Sequence, residues 1–184
     1  MTTKAKREPE LLDVPERLFL MVDGKGDPNG SEEFPGAVSA LYSLSYGLKY
    51  LVKRELGVDT SVGTLEGLWW VEDGDFSLED RSGWRWTAMI EQPEEATPER
   101  IESLARDRGV AEPPRLERFA EGRTAQILHV GPFADEGPTI ERLHTFIRDQ
   151  GLRPTGRHHE IYLSDARRTA PERLRTILRQ PVTA

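Results

Sequence analysis

Apolar and polar positions along this chain follow two rhythms, one of about 3.6 residues and one of two. Residues 16–26, ERLFLMVDGKG, form a short apolar run stopped by an Asp-Gly turn, which predicts a strand. Turn-forming residues fill 27–36. Val38, Leu41, Tyr42, Ser45, Leu48 and Val52 then recur at three- and four-residue spacing, predicting a long helix over 37–56 with Gly57 as its stop. Two strand-like runs follow at 64–73 and 84–93, joined by a polar connection. Residues 97–109 carry a Thr cap, Pro at the first helical position and a terminal Gly, the marks of a second helix. Residues 116–133 read as a hairpin or one bent strand around Gly122. Ile140, Leu143, Phe146 and Ile147 give 138–151 one apolar helical face. A strand is expected at 157–164, and a closing basic helix, capped by Thr169, at 169–182.

This order predicts an α+β fold with a mainly antiparallel sheet and helices on one face. Residues 1–15 are expected to form a flexible arm, and 16–182 a single domain of two similar halves, about 16–110 and 111–182. The duplication rests on element order, because no sequence repeat is visible.

Composition narrows the function classes. The 184 residues are 36 % hydrophobic and 31 % charged, as in an ordered, water-soluble domain. A net charge of -7 argues against a nucleic-acid partner and leaves room for cationic ligands. The absence of cysteine removes disulfides, thiolate nucleophiles and Cys-based zinc sites. The N-terminus has no apolar core segment and no run is long enough to span a membrane, so a cytoplasmic location is expected.

The candidate chemistry lies on the strands. All four tryptophans fall at 69, 70, 84 and 86. Alternation places Glu66, Leu68 and Trp70 on one face of their strand and Gly67 and Trp69 on the other, with Trp84 and Trp86 sharing a face of the next. These indoles read equally as core or as the wall of a patch. In HHEIYLSD (158–165), His158, Glu160, Tyr162 and Ser164 share a face, and His159, Ile161 and Leu163 the opposite, more apolar one. Glu160 therefore faces either water or a pocket. Adjacent histidines on a strand diverge, so no metal site is expected. No Gly-x-Ser-x-Gly elbow occurs, and DGKGDPNG fits no phosphate-binding fingerprint. A mechanism using Glu66 and Glu160 as paired carboxylates stays open.

TLEGLWW, GWRWTAMIEQP, ILHVGPFADEGPTIERLHTFI and HHEIYLSDARRTAPERLRTILRQPV together resemble the stand-alone GyrI-like small-molecule-binding proteins, over residues 14–182. The resemblance implies a duplicated β-α-β-β module, two long helices on one sheet face, and a ligand pocket between them. Relatives include the drug-binding domains of MerR- and AraC-type regulators, in which a buried glutamate among aromatic rings receives lipophilic cations, and Glu160 looks like that residue. Some stand-alone members are associated with hydrolysing the cyclopropane ring of DNA-alkylating natural products, with Glu-activated water. The resemblance thus implies Glu160 and Glu66 as catalytic candidates and Glu160, Tyr162, Trp70, Trp86, Leu68 and Tyr42 as ligand-binding candidates. No cofactor is implied. No helix-turn-helix is expected ahead of the module.

Three readings follow: a protein binding lipophilic aromatic or cationic xenobiotics, a hydrolase detoxifying a reactive alkylator, and a gyrase-inhibitor-like module whose protein partner is unknown. The first is the broadest. Whether ligand is turned over is left open.

Overall fold

A computed structural model describes residues 4–72 and 83–184. The predicted link between the tryptophan-bearing strands, with the last residue of the first, lies outside the described residues.

The elements run β1 (Glu10–Val14), β2 (Arg17–Lys25), α1 (Glu33–Leu56), β3 (Leu65–Val71), β4 (Trp84–Glu91), α2 (Pro98–Arg108), β5 (Arg115–Phe119) and β6 (Gly122–Val130). A short 3-10 turn, Phe133–Asp135, then leads into α3 (Gly137–Asp149), β7 (Arg153–Pro154), β8 (His158–Tyr162) and β9 (Arg175–Thr183). The sheet is antiparallel, in the order β1-β6-β9-β8-β3-β4-β2-β5, with β7 on β9. Its centre is symmetric: β6-β9-β8 and β2-β4-β3 are equivalent triplets, each beginning with a strand followed by a long helix. This is the duplicated β-α-β-β arrangement, meeting at the β3–β8 seam.

The helices form for the reasons the sequence offered. Leu41, Leu44, Leu48 and Val52 line the buried stripe of α1, and Gly57 ends it at φ 70°. The Thr97 side chain accepts from the Arg100 amide at the start of α2, and Gly109 closes it in the left-handed region. All three helices cover one sheet face. Leu20, Trp86, Ala88 and Ile90 meet α1 and α2 there, while Ala125, Ile127 and Leu178 meet Leu143 and Ile147 of α3.

Three expectations are corrected. Residues 169–182 do not form a helix: Pro171–Arg173 make a 3-10 turn and β9 pairs with β6, β7 and β8. Thr169 and Pro171 imitate a helix start, but β9 is buried on both faces, which erases the two-residue alternation. Its Thr, Ile and Val content and Pro181 fit a strand better than a helix interior. Second, part of the expected arm is ordered, since β1 pairs with β6. Third, residues 116–133 are neither a hairpin nor one bent strand, since β5 and β6 are separate strands that do not pair. They lie toward opposite ends of the strand order although only Ala120 and Glu121 separate them.

That third finding fixes the overall shape. Phe119 and Gly122 are at most about 11 Å apart, three Cα steps. Likewise only Pro15 and Glu16 separate β1 from β2. The two ends of the sheet must therefore approach each other, so the sheet curls into a half-barrel. The face away from the helices becomes its interior, which is how Met21, Leu68, Met89 and Phe19 are buried without a helix above them.

Candidate functional site

Cross-strand register decides which carboxylates share a face. Gly67 lies opposite Glu160 and Glu66 opposite Ile161, so Glu160 points to the helix side and Glu66 into the curl. The two expected catalytic glutamates are not brought together. Leu68 and Trp70 accompany Glu66. Leu68 packs with Phe19, Met21 and Met89, and Arg157 sits 3.8 Å from the centre of the Trp70 ring. These residues do not line a pocket with Glu160.

Trp86 is on the helix side but only 1 % exposed. It fills the core against Phe34 and over Gly24, where even a Cβ would collide with its ring. Tyr42, half-buried on α1, borders the same core, and burial pushes its phenol above the ordinary range.

What the structure assembles around Glu160 is a different set. Tyr162 donates its hydroxyl to Glu160 Oε2 at 2.8 Å, and Trp69 Nε1 donates to Tyr162 Oη at 3.2 Å. Trp69 in turn stands against Trp84, at 5.5 Å between ring centres, and Phe34, at 5.6 Å. Phe133 meets Tyr162 edge-on at 5.7 Å and is 43 % exposed, so one aromatic ring of the group reaches solvent. His158 Nε2 lies 3.5 Å from Glu160 Oε1. Neither Tyr162 nor His158 carries a fixed positive charge. Glu160 is thus a partly buried carboxylate set among rings at the β3–β8 seam.

A second carboxyl joins it. Glu136, the residue before α3, is 4 % exposed, and its Oε1 has no hydrogen-bond partner. It interacts with Glu160 and the Thr176 hydroxyl. Burial, reinforced by the Glu160 charge, raises its pKa to about 9. At neutral pH Glu136 keeps its proton beside a second carboxyl group, a combination able to receive a cation or to give and take protons. Burial first, then the Glu160 charge, raises the Tyr162 phenol well above its usual range, so it keeps the proton it donates to Glu160.

The sequence missed Glu136, Phe133 and Trp69 as site members. Nothing in the hydrophobic rhythm marks Glu136. Its only signal was its place among glycine and proline in GPFADEGP, where a charged residue precedes a helix without capping it. Trp69 was readable, because alternation placed it opposite Trp70 and hence on the Glu160 side once β3 and β8 are paired.

Inside the curl lies a second polar cluster. His159 forms ion pairs at 2.9 Å with both Glu66 and Glu121, Arg179 contacts Glu121 at 3.3 Å, and its Nε donates to Gln126. All of them are buried. Burial opposes the His159 charge, but Glu121 and Glu66 outweigh it and raise its pKa to about 9. Burial would raise the Glu121 carboxyl, but His159 and Arg179 hold it below the usual range. Two carboxylates thus face one imidazolium and one guanidinium, and the cluster balances itself. Among the described residues no group of acidic and histidine side chains is arranged to hold a metal ion. An open depression of about 380 Å³ lies elsewhere, between the Glu8–Pro9 segment and α3, away from all these groups. No described helix is long and apolar enough to cross a membrane.

Comparison with known proteins agrees with the fold. The family model of the GyrI-like small molecule binding domain matches residues 7–183. A conserved protein from Listeria innocua is similar at 44 % identity, covering 97 % of this chain and 94 % of its own, with a TM-score of 0.88. A hydrolase from the same organism shows 42 % identity over 97 % and 93 % of the two chains, TM-score 0.86, and a further one 39 % over 98 % and 94 %, TM-score 0.83. The EcmrR C-terminal domain shares the fold alone, at 12 % identity over 96 % and 97 % and a TM-score of 0.61. Among curated proteins, none matches the chain.

Proposed function

Since the chain belongs to the GyrI-like small-molecule-binding family, we propose that it binds lipophilic aromatic cations, with Glu160 as the counter-charge. The observation that carries this is the Glu160 carboxylate held by Tyr162 and His158 among Trp69, Phe133 and Phe34, with no fixed positive charge in either partner. Flat aromatic walls attract cations through their faces and accept many ligand outlines, while a partly desolvated carboxylate strengthens the charge interaction. The expected ligands are xenobiotics of that type.

The test uses Trp69 as an internal reporter. Titrating the protein with tetraphenylphosphonium, a permanent lipophilic monocation, is expected to quench tryptophan fluorescence saturably. Glu160→Gln, which keeps shape and removes charge, is expected to weaken binding roughly tenfold or more. Equal affinity in the two proteins would reject Glu160 as the counter-charge.

The paired carboxyls favour a second reading, hydrolysis of a strained cyclopropane, and the two similar Listeria proteins named as hydrolases support hydrolysis as such. Glu160 would take a proton from water as its oxygen bonds to the ring carbon. The electron pair of the breaking carbon–carbon bond would pass into the substrate's conjugated acceptor, which takes its proton from Glu136. Incubation of a cyclopropane-bearing alkylator with the protein, followed by chromatography, separates the readings. A hydrolysed product formed catalytically identifies an enzyme, and unchanged alkylator a binding protein.

A further inference from the structure

A monocation needs one negative charge, yet the site holds two carboxyl groups. Glu136 is buried with an unpaired Oε1, and its side chain interacts with Glu160, an arrangement that costs a great deal unless a proton remains in it. The groups facing the pair come from every surrounding element. Trp69 is on β3, His158 and Tyr162 on β8, and Thr176 on β9. From α3, His144 stands near His158, its own pKa lowered by burial and by His158 and Arg148. On β6, His129 is engaged by Thr139 and the Pro132 carbonyl. None of these contacts gives Glu136 a fixed cation.

We propose that a cation entering the Glu160 site displaces the proton held by the Glu136–Glu160 pair, so that Glu136 adjusts the charge of the site to that of its ligand. The proposal rests on Glu160 being the cation site. Its cause is direct. A bound cation cancels the repulsion from Glu160 and adds attraction of its own, so the proton on Glu136 is held less firmly. With no ligand, Glu136 keeps its proton. With a cation present Glu136 can release it, without rearranging the fold. A neutral ligand of the same size gains nothing from proton loss and leaves the pair as it is. Glu136 therefore separates cations from neutral aromatics more sharply as pH rises.

The experiment is calorimetric titration of tetraphenylphosphonium into the full chain at pH 8, below the Glu136 pKa of about 9. Buffers of different ionisation enthalpy count the protons released. Neutral triphenylphosphine oxide and Glu136→Gln, isosteric with the protonated acid, serve as controls. Expected are a large fraction of one proton released per cation, an affinity that rises with pH by up to tenfold per unit below about pH 9, and no release with the oxide. In Glu136→Gln the release vanishes and the affinity becomes flat over that range. Binding without release in the wild-type chain, or release that persists in Glu136→Gln, overturns the proposal while the reading of Glu160 as cation site stands. Absence of cation binding at every pH overturns that reading and the proposal together.

Discussion

His159 sits between two carboxylates in the interior of the curl, and its charge is a matter of linkage. Its folded pKa, about 9, lies above the 6.5 of an unfolded histidine, so its contribution is complete below pH 6.5 and is lost as pH climbs through 9. Glu121, held below its usual range, contributes in the opposite direction and is lost in acid. Thermal unfolding followed from pH 6 to pH 10 should show Tm falling on the alkaline side. Glu121→Gln should flatten that fall and lower Tm at pH 7 by roughly 10 °C, from the 3–5 kcal/mol typical of breaking a buried ion pair. An unchanged alkaline slope in Glu121→Gln would remove His159 as its source. Residue-level reading of the sequence placed Glu160 and Tyr162 on one face, where they meet, because two-residue alternation is geometric. It failed to separate Glu66 from Glu160 because alternation within one strand says nothing about register with the next.

At the scale of elements, the β3–β8 pairing positions the site through a residue with no side chain. A Cβ at Gly67 would lie 2.8 Å from Trp69 Nε1 and 3.1 Å from the Tyr162 hydroxyl, within the hydrogen bond that steadies Glu160. Gly67→Ala is expected to cost about 1–3 kcal/mol by overpacking and to weaken cation binding, whereas a fluorescence titration matching wild type would show that the Trp69–Tyr162 contact is dispensable. Helices α1, α2 and α3 were legible because each has a polar side and an apolar stripe. β9 was not, since a strand covered on both faces presents a continuous apolar run whose flanking Thr and Pro imitate a helix start.

For the whole molecule, element order was enough to suggest duplication and an antiparallel sheet with helices on one side. The curl was not legible, because it follows from which distant strands pair across the two-residue connections at Pro15-Glu16 and Ala120-Glu121. The interior this creates explains why a charged cluster can lie on the side without helices and still be fully enclosed.

The strand order also governs timing. Along it, only β3–β4 and β8–β9 are consecutive in the chain, so most ladders close large loops before any pairing rewards them. Refolding on the order of milliseconds to seconds is expected, measured by stopped-flow tryptophan fluorescence after dilution from denaturant, and microsecond folding would contradict it. During synthesis β9, the strand that lies between β6 and β8, is made after both of them. Until it arrives, β6 and β8 each keep an unsatisfied edge, along which the nascent chain is exposed to mispairing.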